Sequence, residues 1–474
     1  MASSEIKASS DVPKTTSIVK ILLFSTGYFF SIFVMMAFNS FVWTFYEHNL
    51  GLVSIFKVSL WPIYMAIANV IYTVWSMVVG LLIGFYTDKP LKWTKRWGLH
   101  APWILIGGIP TIVFFFLLFT PPAVTGIESV MPVLFYYLII VCLFDTSYSL
   151  IQTHTFGGFA AHFRGESDRR KAGLITQIFT FIANFLTVGV WSLIIIPGNP
   201  PTFTFAALIS VFILSGSLVI FIPGFKESEE IKNRFIVGYE QSERISFFKT
   251  MKLVIKQKNF VLVLFTYIFF MVAMGLVGMN SVNFVDDVLQ ADQDIRMIES
   301  FLMLISSLLT IPIWFMVAKK IEHSTLFSLG LFIFAFVVLW NFFIVNILQF
   351  FIVAFLRGIA IAMFLIMLSP LFADTYDEIA VKTKKHHQAT LLGIRNFFIK
   401  ISVTIQSFIV AFVHIITLYD PVNPSTLGII GLRLIQGVLP FIFCIIGAII
   451  FYKWYDLKGK KKQEIMQKLQ EMGL

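Results

Sequence analysis

From residue 18 to residue 453 the chain alternates long apolar stretches with short polar breaks. A helix rises about 1.5 Å per residue, so roughly twenty apolar residues cross about 30 Å of hydrocarbon. In lipid the backbone is satisfied only within helices or closed barrels, and these runs are too long for barrel strands. The pattern predicts twelve transmembrane helices, at 18–45, 55–86, 102–121, 131–160, 171–196, 203–223, 259–285, 297–318, 325–345, 347–373, 388–418 and 427–453. The longest polar stretch, 226–258, falls between the sixth and seventh. The fold class is therefore all-α integral membrane, with two six-helix halves at 18–225 and 259–455.

Composition agrees. Of 474 residues, 58% are hydrophobic and 13% charged, with 54 phenylalanines, whereas a soluble surface needs about 25% charged residues. The net charge of +10 forms no basic stripe with interleaved aromatics, so nucleic acid is not an expected partner. The basic residues gather instead in alternate loops: Lys89, Lys92, Lys95 and Arg96; Arg164, Arg169, Arg170 and Lys171; Lys319 and Lys320; Lys382, Lys384 and Lys385. The intervening loops hold little beyond Lys57 and Arg296, together with Asp286, Asp287, Asp292 and Asp294. The positive-inside rule then predicts a multi-pass cell-membrane protein with both termini cytoplasmic. On this reading residues 1–17 are a cytoplasmic segment, 226–258 a cytoplasmic linker, and 456–474 a basic tail on the inner leaflet. The first span reads as a retained helix and not a signal peptide. Cys142 and Cys444 lie in apolar stretches and read as fillers. No Ser–His–Asp, metal or phosphate-loop pattern points to an enzyme.

Six spans, a linker and six more spans is the layout of transporters built from two parallel halves. Specific residues carry a resemblance. Gly84-Phe85-Tyr86-Thr87-Asp88, then Lys95-Arg96-Trp97-Gly98 and Pro102-Trp103-Ile104-Leu105-Ile106-Gly107, resemble the loop signature of the glycoside–pentoside–hexuronide:cation symporters. That melibiose-permease-like family belongs to the major facilitator superfamily. Phe45-Tyr46-Glu47-His48-Asn49-Leu50-Gly51, Asp168-Arg169-Arg170, Ala373-Asp374 and Gly431-Leu432-Arg433 resemble further family segments in the same order. The resemblance implies a major facilitator fold and alternating access by a monomer, carrying a sugar or related small solute with H⁺ or Na⁺. It also implies a cytoplasmic gate at Gly84, Asp88, Arg96, Trp97 and Gly98. There a small residue lets helices approach and Asp88 pairs with basic groups; a merely solvated basic loop is the alternative.

The family places two carboxylates four residues apart on its second helix, where one turn brings both to a single cation. Here those positions are Ser76 and Gly80. Family acids on the first and fourth helices fall at Ile32 and Gln152, and the fifth-helix arginine at Gln177, while the eleventh-helix lysine is kept as Lys400. Serine and carbonyl oxygens alone hold a hard cation weakly. Charged groups at mid-membrane cost several kcal/mol unless paired or wetted, and Asp145, Arg357, Arg395 and Lys400 are the candidates. Asp145 and Lys400 both fall near mid-depth, and Asp145 precedes Gln152 by two helical turns.

The expectation is a charge pair between Asp145 and Lys400, with Asp145 as the coupling group. Lys400, Gln152, Gln177 and Trp75 would meet the solute, Trp75 as a stacking platform. Local satisfaction of Asp145 by Thr146 or Ser149 is the alternative. His154, Thr155, Asn280 and Asn283 read as structural hydrogen bonders, and Arg357 as a snorkelling side chain. For the solute, a lipid-like or amphipathic molecule is the second reading, because relatives of the family include lysophospholipid carriers and the sugar-gripping charges are gone. An uncoupled facilitator and a non-transporting scaffold are the others.

Overall fold

The computed structural model describes residues 17–50, 57–87, 91–163, 166–229, 231–233, 247–318, 320–383, 388–421 and 423–471. Among them every regular element is a helix. Twelve are long and apolar enough to cross a bilayer, one for each predicted stretch. Spans 1 to 6 are Ile18–Glu47, Trp61–Gly84, His100–Leu118, Ile127–Phe159, Lys171–Ile194 and Pro200–Gly224. Spans 7 to 12 are Lys258–Met279, Ile295–Trp314, His323–Phe343, Ile347–Lys382, Gly393–Ile416 and Thr426–Trp454. The end of the bundle carrying Lys92, Lys95, Arg96 and Lys320 is called the basic end below, and the opposite one the far end.

Lipid offers apolar side chains no reason to leave it, so helices in a bilayer associate through close packing and polar contacts. The 54 phenylalanines supply much of that packing. One core joins Phe24, Phe30, Phe115 and Trp191 of spans 1, 3 and 5, with Phe24 stacked on Phe225 at 4.6 Å. A second joins Phe270, Phe334, Phe364 and Phe451 of spans 7, 9, 10 and 12, with Phe270 stacked on Phe364 at 4.0 Å. The first core also takes in Val272, Leu276 and Met279 of span 7 and Val410 and Val413 of span 11. These lie in the stretches of their spans leading to the far end, so an apolar seal joins the two halves there. Arg296 reinforces it. Expected in a loop, it opens span 8 and is fully buried, stacked over the Phe41 ring of span 1 at 5.0 Å and bonded to Ser281 Oγ at 2.8 Å.

Span 1 is an α-helix to Ala37 and then carries π-helical turns at Phe38–Val42 and Phe45–Asn49. Such wider turns turn up most often where a helix has a functional task.

One boundary differs clearly from the sequence pattern. Span 10 belongs to a helix running on to Thr383, about ten residues beyond the apolar run, because its acidic end is neutralised. Asp374 pairs with Lys462 at 2.6 Å, and Glu378 with Lys382 at 3.1 Å. The tail forms a helix at Gly459–Glu471 whose start is tied to the basic end of the second half. Lys461 reaches Asp456 at 2.5 Å, and the Gly459 amide donates to Glu322 at 3.0 Å. Burial pushes the Asp456 carboxyl up, but hydrogen bonds from Lys461, Asn259 and Lys258 outweigh it and hold it well below the usual carboxylate range.

Candidate functional site

Asp145 sits midway along the helix Val130–His162 and is 3% exposed. A carboxylate there needs partners in every direction. Oδ1 accepts from Tyr72 Oη of span 2 at 3.3 Å, and Oδ2 from Ser149 Oγ one turn along at 3.5 Å. Lys400 approaches from the opposite half, its Nζ 3.8 Å from Asp145 Oδ2. The same ammonium donates to the Ser76 carbonyl at 2.9 Å and to Ser149 Oγ at 3.2 Å. Ser149 thus bridges cation and anion. Lys400 stands where one helix ends at Ile399 and the next begins at Ile401, with the Val403 amide bonded back three residues to its carbonyl. The tightened turn marks a local break in span 11 at the residue carrying the charge.

Lys400 opens a stripe along span 11. Positions 400, 407 and 414 recur every seven residues, two helical turns, and so share one face. That face meets the first half at each step. Ser407 Oγ accepts from Asn69 Nδ2 of span 2 at 3.0 Å, and Asn69 Oδ1 accepts from the Tyr137 hydroxyl at 2.6 Å. His414 Nδ1 lies 2.7 Å from Glu47 Oε1 of span 1, and Trp43 Nε1 donates to the other Glu47 oxygen at 2.5 Å. Along this face of span 11 the contacts between the halves are therefore polar from mid-bundle to the far end, set within the apolar packing that joins spans 1, 7 and 11.

The remaining sequence candidates are placed as follows. Gln152 is held by Tyr148, donating to its hydroxyl at 3.0 Å. Gln177 is half-buried on span 5 and makes no hydrogen bond to the Asp145–Lys400 cluster among the described residues. Trp75, expected beside the solute, spends its N–H on the Cys142 carbonyl at 3.1 Å and on Thr146 at 3.0 Å. Its ring belongs to an exposed apolar strip with Ile67, Ile71, Val74, Val78 and Leu82. A strip of that length along a span suits a bilayer-facing surface. Arg357 does not snorkel but forms a buried ion pair with Glu299 of span 8. His154 shares a hydrogen bond with His100 at 3.0 Å.

At the basic end, Asp88 lies outside the described residues. Among the described residues, a Cβ built on Gly84 meets nothing within 4 Å, so the close approach expected there is not made with any of them. Arg96 lies over the exposed Trp97 ring at 5.6 Å, and its carbonyl accepts from Lys232 at 3.1 Å. Gly98 is the tight point. Its φ is +86°, and a Cβ would stand 2.5 Å from Glu227 Oε2. Glu227, in the polar stretch after span 6, accepts the Leu99 and His100 amides at 2.9 and 3.1 Å and so caps span 3. Burial raises the Glu227 carboxyl above its ordinary range, against the pull of those two amides. Sequence reading assigned Glu227 to the linker, and nothing local flags a cap made across 128 residues. Gly98→Ala is expected to cost about 2–3 kcal/mol from left-handed strain and displaced Glu227, read as a lower thermal midpoint in detergent.

Two helical halves, closed on each other at one end and joined by buried charges, define a secondary transporter of the major facilitator class and not an enzyme. The chain belongs to the family described as MFS/sugar transport protein, whose model matches residues 23–459. It is 24% identical over 458 residues to the sodium-dependent lysophosphatidylcholine symporter 1 of Gallus gallus, covering 87% of this chain and 83% of that one. The Xenopus tropicalis protein of the same name is 21% identical, covering 86% and 84%. Among solved structures, a D-xylose–proton symporter superposes with a TM-score of 0.62 at 12% identity, covering 93% of this chain and 98% of that one. A nucleoside transporter superposes with 0.61 at 14%, covering 92% and 100%. At such identities these structures establish the fold alone.

Proposed function

We propose that the chain is a monomeric carrier of an amphipathic, lysophospholipid-like solute across the cell membrane, with its basic end in the cytoplasm, and that Lys400 serves as its resident cation. The observation that carries this reading is the position of the Lys400 ammonium. It hydrogen-bonds the carbonyl of Ser76 and lies 3.5 Å from where a Gly80 Cβ would be. Those two positions are uncharged here, and a tethered ammonium occupies the space between the halves that a co-transported cation would need. Asp145 balances it, and rocking of the halves separates the two charges. Once free of Asp145, Lys400 is a ready partner for an anionic headgroup such as a phosphate.

Support for the solute class comes from the lysophosphatidylcholine symporters that the chain is similar to and from the uncharged Gln152 and Gln177 where sugar-gripping charges are expected. The orientation rests on the loop charges. The test is uptake into proteoliposomes of lysophosphatidylcholine and of melibiose, with and without imposed Na⁺ and H⁺ gradients. Lysophosphatidylcholine is expected to move and the disaccharide not, with a rate unchanged when the Na⁺ gradient is removed. Na⁺-driven accumulation of the disaccharide would overturn the reading.

A further inference from the structure

Of the four charges expected at mid-membrane, Asp145 and Lys400 meet each other and Arg357 meets Glu299. Arg395 is left over. Among the described residues no carboxylate pairs with it, and its Nε is buried without a hydrogen-bond partner. We propose that Arg395 and Tyr376, walled by Phe372 and Tyr267, form a binding site for a phosphate group, separate from the Asp145–Lys400 pair. A lipid headgroup as the source of that phosphate rests on the carrier reading; the anion site itself does not.

Three spans build the cluster. The helix Gln388–Ile399 carries Arg395 on the basic side of Lys400, five residues or about 7.5 Å of rise away. Its guanidinium lies over the Phe372 ring of span 10 at 5.0 Å. Tyr376, one turn further along span 10, has its ring 6.0 Å from the same phenylalanine, and the Tyr267 ring of span 7 stands 6.1 Å from it. The Arg395 charge acts on both phenols. One cation and two tyrosines are thus gathered around a single phenylalanine.

What this cluster lacks is an acceptor. Tyr376 is 8% exposed, and its hydroxyl, like Arg395 Nε, has no hydrogen-bond partner among the described residues. A buried donor left unpaired is costly, more so when it carries charge. A ligand that brings the acceptor accounts for both orphans at once. The guanidinium only donates, and its planar fork matches carboxylate and phosphate oxygens. A carboxylate taken by the fork spends both its oxygens there. A phosphate keeps further oxygens for the phenol and for its ester links, so the donor set favours phosphate. Lys400, held by Asp145 and the Ser76 carbonyl, is already engaged in this conformation, whereas Arg395 is not.

The test titrates the full chain, in a maltoside detergent, with glycerophosphocholine, inorganic phosphate and acetate at matched ionic strength, reading the thermal midpoint. Both phosphates are expected to raise the midpoint and acetate to leave it unchanged. The half-maximal concentration is expected to rise at least about tenfold in Arg395→Gln and about fivefold in Tyr376→Phe. Tyr376→Phe removes only an unpaired buried hydroxyl, so its ligand-free midpoint should equal or exceed the parent's, and it carries the test if Arg395→Gln does not fold. Glycerophosphocholine binding more tightly than inorganic phosphate assigns the site to a lipid headgroup; binding no tighter assigns it to free phosphate. Parental affinity in either folded variant, or acetate acting as strongly as phosphate, overturns the proposal. No transport is measured, so failure here is separable from failure of the carrier reading.

Discussion

Asp145→Leu is expected to abolish transport and to lower the thermal midpoint sharply, whereas Asp145→Leu combined with Lys400→Met restores the midpoint but not transport. Removing one partner of a buried pair strands the other, at a cost of about 3–5 kcal/mol. Lys400 has the Ser76 carbonyl and Ser149 hydroxyl as remaining partners, and neither supplies the negative charge of Asp145. Replacing both by apolar residues of similar size is often nearly neutral for stability. Stability and transport therefore separate in the double variant, as a purely structural pair would not allow. Unfolding midpoints in detergent and uptake into vesicles measure the two. Parental uptake by Lys400→Met alone would sink the assignment.

Glu299→Ala is expected to be as destabilising as Asp145→Leu, with uptake per folded molecule close to parental. Glu299 and Arg357 are 5% and 7% exposed and join spans 8 and 10 within one half. The two spans touch closely here, since a Cβ on Gly358 would overlap the Ser306 hydroxyl. The stranded guanidinium costs about 3–5 kcal/mol, but nothing about this pair changes when the halves rock. Uptake normalised to folded protein distinguishes the two buried pairs. A transport loss as deep as that of Asp145→Leu would show that Glu299 acts beyond its own half.

The spans were legible because hydropathy is a local quantity, and all twelve apolar stretches return as helices. Family membership was legible in Arg96-Trp97-Gly98 and Pro102-Trp103 for the same reason. The proximity of Asp145 and Lys400 could be anticipated because mid-membrane charges are few and costly. The Glu47–His414 contact could not, although both residues were in plain view. It joins positions 367 apart, and its register depends on how span 1 winds. The stripe at 400, 407 and 414 was readable as a spacing, but only its partners Ser76, Asn69 and Glu47 give it meaning. Trp75 meets a similar limit: a tryptophan on a helix reads alike whether it faces a solute or the bilayer. Arg296 counted as a loop charge, yet Phe41 and Ser281 draw it inside.

The π-helical turns of span 1 bear on how this chain should be compared with its relatives. A turn of that kind accommodates one residue more than an α-helical turn, and one residue corresponds to about 100° of rotation. Deleting a single residue within Phe38–Val42 would let the helix relax to α geometry and swing everything beyond it around the axis. Glu47 would then point away from span 11, although its identity and depth would hardly change. Aligned without a gap, a relative with a regular first helix would place a different residue opposite His414, so insertions in span 1 are as informative as substitutions.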